Sequence, residues 1–231
     1  MQIDKNQLKV CAISDMHGRL NIKIEKSDVL LISWDISPLS LQHNMMLMEG
    51  WVSSQFIPWC EYQPVDKVVL IAGNHDFYLQ DNAELFRKQI NGTKIVYLQD
   101  GEFVYQKNVN TSYKIYGTPW CKPFYNWAFM VDNDELRKNF SMIPNGVDIL
   151  LTHDCPYGYN DICFNNGKHI GNIPLMEAIK EKQPRYVFTG HLHSAEKTPI
   201  KLDNSTIQNV CLLGEDYELT YQPTYVTISA R

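Results

Sequence analysis

Side chains that can hold metal ions occur in five short clusters along this chain of 231 residues. The clusters, which contain five of the seven histidines, are Asp15-Met16-His17, Asp35, Asn74-His75-Asp76, His153-Asp154 and His191-Leu192-His193. In an extended segment residues i and i+2 point the same way, so Asp15 pairs with His17 and His191 with His193. One such pair alone is more often a capped turn than a metal site. Burying all these groups in one cleft without a cation would be costly, however, and the joint pattern predicts a metal centre.

A short apolar run precedes each cluster. The runs are LKVCAIS (8–14), DVLLIS (28–33), KVVLIA (67–72), VDILLT (147–152) and RYVFTG (185–190). Near-continuous apolarity of this kind is typical of strands covered on both faces. Helical patterns lie between them at 39–60, 81–90, 132–140 and 174–182. The alternation predicts an α/β protein with parallel strands, whose carboxyl ends bring the five clusters into one crevice.

Further strand-like pieces lie in 93–118 and 200–228, where helical patterns do not separate them. They predict that part of the sheet system is antiparallel. Long linkers and internal repeats are not visible, so we expect one domain over residues 1–231.

Composition narrows the class of protein. The chain is 44% apolar and 20% charged, with a formal net charge of −5 and no stripe of basic residues, so nonspecific nucleic-acid binding is not expected. A membrane span or signal peptide is not visible, which predicts a soluble, cytoplasmic protein without a membrane partner. The six cysteines are widely spaced and suit reduced thiols better than a disulfide framework. The sequence leaves the oligomeric state open.

The motifs DMHG, WDIS, GNHD, LTHD and GHLH occur in this order, and the chain resembles the calcineurin-like metallophosphoesterases over roughly residues 8–195. With GTPW (117–120) and LLTHDCPYG (150–158), it is most similar to the metallophosphodiesterase-domain group of that superfamily. The resemblance implies a four-layer α/β/β/α sandwich with two mixed sheets. It also implies two metal sites, one formed by Asp15, His17, Asp35 and His193 and the other by Asp35, Asn74, His153 and His191.

Two divalent ions that share Asp35, about 3.5–4 Å apart, would hold a bridging hydroxide and clamp a phosphate ester for in-line attack. Imidazole, carboxylate and amide ligands suit Mn, Fe, Zn, Co or Ni and do not select among them. By the same resemblance, His75 is not a ligand but a catalytic residue that protonates the leaving alkoxide. Asp76 or Asp154 either orients an imidazole or caps loop backbone. Arg19 is expected to be a surface residue rather than a phosphate contact, and His43 and His169 receive no role.

Trp34 departs from the resemblance, because the family pattern has glycine immediately before the bridging aspartate. In one interpretation the backbone at position 34 suits any residue and the ring packs away. In the other, glycine is needed for positive φ or close approach, and the tryptophan displaces Asp35 or narrows the cleft. The aromatic segment 117–130 presents a similar choice between packing in a core or a subunit contact, which we favour, and stacking of a nucleobase.

The sequence therefore predicts a binuclear phosphoesterase acting on phosphodiesters or small phosphomonoesters, with a nucleotide as one candidate substrate. One alternative is a catalytically weak metal-binding or regulatory protein in which Trp34 disables turnover. The other is a phosphoprotein phosphatase.

Overall fold

Eleven strands form two sheets in the computed structural model, which describes residues 5–163 and 167–231. The strands are β1 (Leu8–Ile13), β2 (Val29–Ile32), β3 (Lys67–Leu70), β4 (Ile95–Tyr97), β5 (Gly101–Asn108), β6 (Thr111–Thr118), β7 (Ile149–Thr152), β8 (Tyr186–Thr189), β9 (Ile200–Leu202), β10 (Ser205–Asn209) and β11 (Thr224–Ile228). The first sheet has the order β11-β1-β2-β3-β4 and the second the order β5-β6-β7-β8-β10-β9.

The helices lie between the strands. They are α1 (Met45–Trp51), which continues through a π-helical turn (Val52–Phe56) into α2 (Ile57–Tyr62), and then α3 (Phe77–Asp81), α4 (Ala83–Gln89), α5 (Asn133–Ser141) and α6 (Ile173–Lys182). Polar side chains start several of them. The Asp132 carboxylate accepts from the amides of Asp134 and Glu135, both at 3.0 Å, and Oδ1 of the Asn172 side chain accepts from the amide of Leu175. None of the helices in these two described ranges is long and apolar enough to cross a membrane.

The five strands predicted to precede the clusters are confirmed as β1, β2, β3, β7 and β8. Parallel pairing joins β1, β2, β3 and β4 in the first sheet, and β6, β7, β8 and β10 in the second. The antiparallel part is also present, because β5 pairs with β6, β9 with β10 and β11 with β1.

Two predicted helices differ in extent. The segment 39–60 becomes helical only at Met45, because residue 44 is an asparagine whose side chain caps the helix by accepting from the amide of Leu47. The segment 81–90 holds α4 and the end of α3, which are separated at Asn82.

Alternation along the strands divides their side chains between layers. In β1, Leu8 and Val10 face the second sheet, while Cys11 and Ile13 face α1 to α4. The outer face of the second sheet packs on α5 and α6, for example through Phe140. The molecule is thus an α/β/β/α sandwich with two mixed sheets, and the fold class predicted from the sequence is confirmed.

Candidate metal centre

The loops after β1 and β2 run side by side and carry the first two clusters. The amide of Asp15 donates to the carbonyl of Trp34 (2.9 Å), and the amide of His17 donates to the carbonyl of Asp35 (2.8 Å). At the end of β1 the chain also contacts the second sheet, because Ser14 forms a parallel bridge with Cys211 just beyond β10. This bridge joins the carboxyl ends of both sheets.

Backbone conformation at these turns is unusual. Among the residues of the five clusters and Trp34, positive φ occurs at Asp15 (53°), His17 (42°), Trp34 (95°), Asp35 (45°) and His191 (65°). Asp and His tolerate this region better than most residues, whereas a bulky side chain such as tryptophan adopts it rarely. Strained conformations of this kind gather at functional sites and are maintained by the packing around them.

The two buried aspartates lie among the histidines. His193 Nε2 is 3.5 Å from Asp15 Oδ1, and Asp35 Oδ2 is 3.7 Å from His153 Nε2 and 3.9 Å from His17 Nε2. The amide of His191 donates to both carboxylate oxygens of Asp15, each at 3.1 Å. The carboxylates therefore link loops from both sheets.

Asn74 completes the cluster from the end of β3. Its Oδ1 contacts His153 Nε2 and lies 2.9 Å from His191 Nδ1. The structure thus brings together the seven residues predicted as ligands, which are Asp15, His17, Asp35, Asn74, His153, His191 and His193. They come from the ends of five strands that are up to 178 positions apart in sequence.

Several ring nitrogens of this cluster fit a metal ion. Within the described ranges, both nitrogens of His17 and Nδ1 of His153 are buried and have no hydrogen-bond partner. Ligand atoms of Asp15, Asp35 and His153 lie within 4.8 Å of one another, as do those of His17, Asp35 and His75. Buried polar atoms normally have partners, and a neutral imidazole has one nitrogen with a free lone pair, so these rings suit a cation that accepts one lone pair from each.

Electrostatics of the cluster also favour a cation. Burial raises the pKa of Asp35 well above its ordinary value, and the nearby carboxylates of Asp76 and Asp15 raise it further. Burial lowers the pKa of His17 to about 3, which keeps its ring neutral and able to ligate. Burial also opposes ionisation of Asp15, but the hydrogen bond and charge interaction with His193 prevail and hold its pKa well below 3.8.

His75 lies beside the cluster and is held by two hydrogen bonds. Its amide donates to Asp35 Oδ1 (2.9 Å), and its Nδ1 lies 2.6 Å from Gln42 Oε1. Because a carbonyl oxygen only accepts, Nδ1 carries the hydrogen and Nε2 remains for other partners. Burial lowers the pKa of His75 to about 4. The ring is therefore neutral at pH 7 before any anion binds.

Two glycines allow the loops to close around the carboxylates. A Cβ at Gly73 would collide with the carboxylate of Asp35 and come within 2.7 Å of Trp34 Cβ. At Gly190 it would collide with the carboxylate of Asp15 and come within 2.7 Å of Trp34 Nε1. Glycine precedes Asn74 and His191 because no side chain fits there.

Trp34 lies beneath the cluster, fully buried between the two sheets, with its ring centroid 4.6 Å from that of His153. The structure corrects both interpretations of this residue in part. The ring does pack away, but φ of 95° is not a conformation that any residue adopts. Asp35 lies beside His17 and His153, and the pocket above the cluster is lined by residues other than Trp34.

A pocket of about 590 Å³ opens over the cluster. Asp35, Asn74, His75, His191 and His193 line it, together with Lys122, Phe124, Trp127, Glu215 and Tyr217. For segment 117–130 we expected packing in a core or a subunit contact, and core packing is found for part of it. Phe129 is buried and packs on Trp120, whereas Phe124 and Trp127 face the pocket, with ring centroids 5.4 Å from His191 and 4.4 Å from His75.

The remaining polar candidates have structural partners. Asp76 accepts from the amides of Gly73 (2.9 Å) and Ser37 (3.0 Å), and Asp154 accepts from Lys122 and Asn172, so both acids fix loops. His169 pairs with Asp161, and His43 packs on Phe77.

Arg19 lies at the surface as expected, but its guanidinium binds the Tyr217 carbonyl and Glu218. Sequence reasoning missed Gln42 and Tyr217, because neither follows a strand and no local motif marks them.

Residues 8–195 match the family described as calcineurin-like phosphoesterase, and the chain belongs to that family. Among its relatives is human metallophosphoesterase domain-containing protein 1, which is 30% identical over 203 residues. The match covers 80% of this chain and spans about 60% of the length of that relative. Family membership and the clustered ligands support a metal-dependent phosphoester hydrolase.

Solved structures share the fold at low identity. Phosphopantetheinyl hydrolase from Mycobacterium tuberculosis is 12% identical and superposes with a TM-score of 0.51, over 91% of this chain and 90% of its own. GAP50, the anchor in the inner membrane complex of Plasmodium, is 12% identical with a TM-score of 0.56, over 97% and 78%. At these identities the likeness shows the fold alone, and a hydrolase and an anchor both have it.

Proposed function

We propose that the chain is a binuclear metallophosphoesterase that hydrolyses phosphodiesters or small phosphomonoesters in the cytoplasm, with residues 1–231 forming a single domain. The observation that carries this proposal is the convergence of the seven side chains predicted as ligands, from five strand ends, beneath one pocket.

In this proposal Asp15, His17, Asp35 and His193 hold one divalent ion, and Asp35, Asn74, His153 and His191 hold the other. Two bound ions such as Mn, Fe, Zn, Co or Ni would supply Lewis acidity and an acidified water for in-line attack on phosphorus. Asp35 is the shared ligand. Support comes from its position within 4 Å of imidazoles assigned to both ions.

His75 is the proposed catalytic residue. Gln42 fixes the ring through Nδ1, so Nε2 is the nitrogen that meets substrate. A phosphate anion in the pocket opposes the effect of burial and raises the pKa of the imidazole. The ring then takes up a proton on substrate binding and delivers it to the leaving oxygen.

The pocket favours a small ester over a long polyanion. Phe124 and Trp127 give it an apolar wall, and beside the candidate ligands its charged lining residues are one cation, Lys122, and one acid, Glu215. A nucleotide is one substrate that matches a phosphate site beside aromatic rings.

Elemental analysis combined with an ester screen tests the proposal. With Mn²⁺, Co²⁺ or Ni²⁺ added, the wild type is expected to bind two ions per chain and to hydrolyse bis-p-nitrophenyl phosphate. Asp35→Asn should lose ions and at least a hundredfold in kcat/KM, because the shared carboxylate is gone. Asp134→Asn, whose side chain is 99% exposed, is the matched control and should behave as the wild type. If the metal-loaded wild type cleaves none of the esters, the proposed phosphoesterase activity is refuted.

A catalytically weak metal-binding protein is the second candidate, and the strained Trp34 next to the shared ligand favours it. His75→Ala separates the two. A true catalyst loses turnover and keeps its metals, whereas a binding protein shows the same trace activity with and without the imidazole. Phosphopeptides in the same screen test for a phosphoprotein phosphatase.

A further inference from the structure

The turn at residues 214–220 contributes Glu215 and Tyr217 to the lining of the pocket. The amide of Gly214 donates to the carbonyl of Glu218, and the amide of Tyr217 donates to the carbonyl of Gly214, both at 3.0 Å. Tyr217 has φ of 59°, in the left-handed region. A backbone in that conformation persists only where surrounding contacts hold it. The two hydrogen bonds therefore fix the conformation of the turn.

This turn places the Tyr217 ring against the candidate metal ligands. Its centroid is 4.8 Å from the ring of His193 and 5.1 Å from the ring of His17. The same turn accepts from His193, whose Nδ1 lies 2.9 Å from the carbonyl oxygen of Gly214. The turn thus orients a ligand and covers two ligands at once.

The phenol of Tyr217 lines the pocket while its backbone is tied to the loop after β1. Arg19 Nη2 donates to the Tyr217 carbonyl (3.0 Å) and to Glu218 Oε1 (2.7 Å). Within residues 5–163 and 167–231, the Tyr217 hydroxyl has no hydrogen-bond partner, and the residue is 37% exposed. A phenol is a donor at neutral pH, and Tyr217 lines the pocket of about 590 Å³.

We infer that Tyr217 is a substrate-binding residue of the proposed phosphoesterase, whose hydroxyl donates a hydrogen bond to an oxygen of the phosphate group, and that Arg19 positions it. This inference rests on the proposed function for its substrate class. It gives Arg19 an indirect part in binding, through the turn that it anchors.

Tyr217→Phe tests the hydroxyl alone, because the ring and its contacts with the histidines remain. Tyr62→Phe is the matched control, since Tyr62 is 89% exposed on α2. The measurements are metal content, the Kd for inorganic phosphate by calorimetry on metal-loaded protein, and kcat/KM for bis-p-nitrophenyl phosphate. We expect Tyr217→Phe to keep both ions while phosphate binding and kcat/KM weaken about tenfold, as loss of one hydrogen bond to a charged group does.

Values within twofold of the wild type would overturn the inference, and so would loss of metal, which would make Tyr217 a structural cover for the histidines. The phosphate Kd keeps this test separate from that of the proposed function. If the wild type hydrolyses no ester, the proposed phosphoesterase activity is rejected, yet weaker phosphate binding by Tyr217→Phe still supports the hydroxyl contact. Absence of phosphate binding in both proteins refutes the hydroxyl contact.

Arg19→Gln tests the anchor against Arg137→Gln, which removes an arginine from surface ion pairs with Asp134 on α5 and Glu177 on α6. Arg19→Gln should weaken phosphate binding about threefold to fivefold without changing metal content. Arg137→Gln should leave both unchanged. Equal behaviour of the two variants would remove Arg19 from the proposal.

Discussion

The turns after β2 and β3 leave neighbouring parallel strands and each ends on a candidate ligand. They differ in the residue that precedes the ligand and in how its backbone is accommodated. Before Asn74 stands Gly73, whose hydrogen faces the carboxylate of Asp35 at a distance where no Cβ fits. Before Asp35 stands Trp34, the largest side chain available, at φ of 95°.

The difference separates two demands that glycine meets. At position 73 the demand is space, since its φ is not positive and the obstacle is a neighbouring side chain. At position 34 the demand is conformation, since the Cβ points into the core between the sheets and has room for an indole. Conformational strain can be offset by burial of a large apolar ring, whereas a collision with a ligand cannot. This explains how one turn tolerates tryptophan.

Gly73→Ala should break the metal centre and is the largest effect we expect. The new methyl group collides with Asp35 and must push the shared ligand aside, so metal content should fall and kcat/KM should drop at least a hundredfold. Gly50→Ala is the control, because a Cβ at that position in α1 meets nothing within 4 Å. It should raise stability by up to about 1 kcal/mol through helix propensity and leave activity unchanged. Wild-type metal content in Gly73→Ala would show that position 73 has more room than its geometry indicates.

Trp34→Gly should destabilise the fold and spare the metal centre. Removing a buried aromatic ring costs about 3–5 kcal/mol, and relief of the positive φ returns about 1–3 kcal/mol, so unfolding in urea should show a net loss of about 2 kcal/mol. Metal content and turnover should stay within about threefold, because Asp35 already lies among its partners. A large gain in activity would instead mean that tryptophan holds the shared ligand out of place. Trp34→Phe keeps the positive φ and its strain, so no gain in activity is expected from this variant.

The two turns are also joined to each other, and Gln42→Leu tests one of these links. Gln42 follows the β2 turn and accepts from His75, which follows the β3 turn. Without this acceptor the imidazole can rotate, so kcat should fall several-fold with little change in metal content. Gln55→Leu, on the exposed side of the π-helical turn, is the control. Equal rates in both variants would mean that ring packing alone orients His75.

Acid should destabilise the metal-free protein partly through His75. Its pKa is about 4 in the fold and 6.5 ordinarily, so unfolding takes up a proton between these values and stability falls as pH falls through this window. His75→Gln should therefore lose less stability than the wild type between pH 6.5 and 4 in thermal unfolding. The raised pKa of Asp35 acts in the opposite direction but is common to both proteins. Identical slopes would contradict burial of a neutral ring.

The sequence predicted the strands that carry the ligands because both signals are local. A run such as VLLI in β2 reads as a buried strand, and the acid directly after it reads as a ligand. Parallel pairing then brings the strand ends to one edge, which is why residues as distant as Asp15 and His193 were predicted to meet.

What the sequence could not give depends on tertiary contacts. In the sequence, the tryptophan at position 34 is only a departure from the glycine of the family pattern. The fold shows that its indole fills the space between the two sheets. Gln42 and Tyr217 act through loops that are fixed by distant partners, such as Arg19 for the turn at 214–220. The helix predicted over 39–60 began too early because the apolar spacing already starts at residue 39. Asn44 caps the helix, so the residues before it are not helical.

The bridge between Ser14 and Cys211 has a kinetic consequence. It closes a loop across most of the chain, and such long-range closures slow folding because their entropy must be lost before the contacts form. The seven candidate ligands come from strand ends of both sheets, so a chain in which only one sheet has formed would offer metal ions part of the ligand set and not the complete cage.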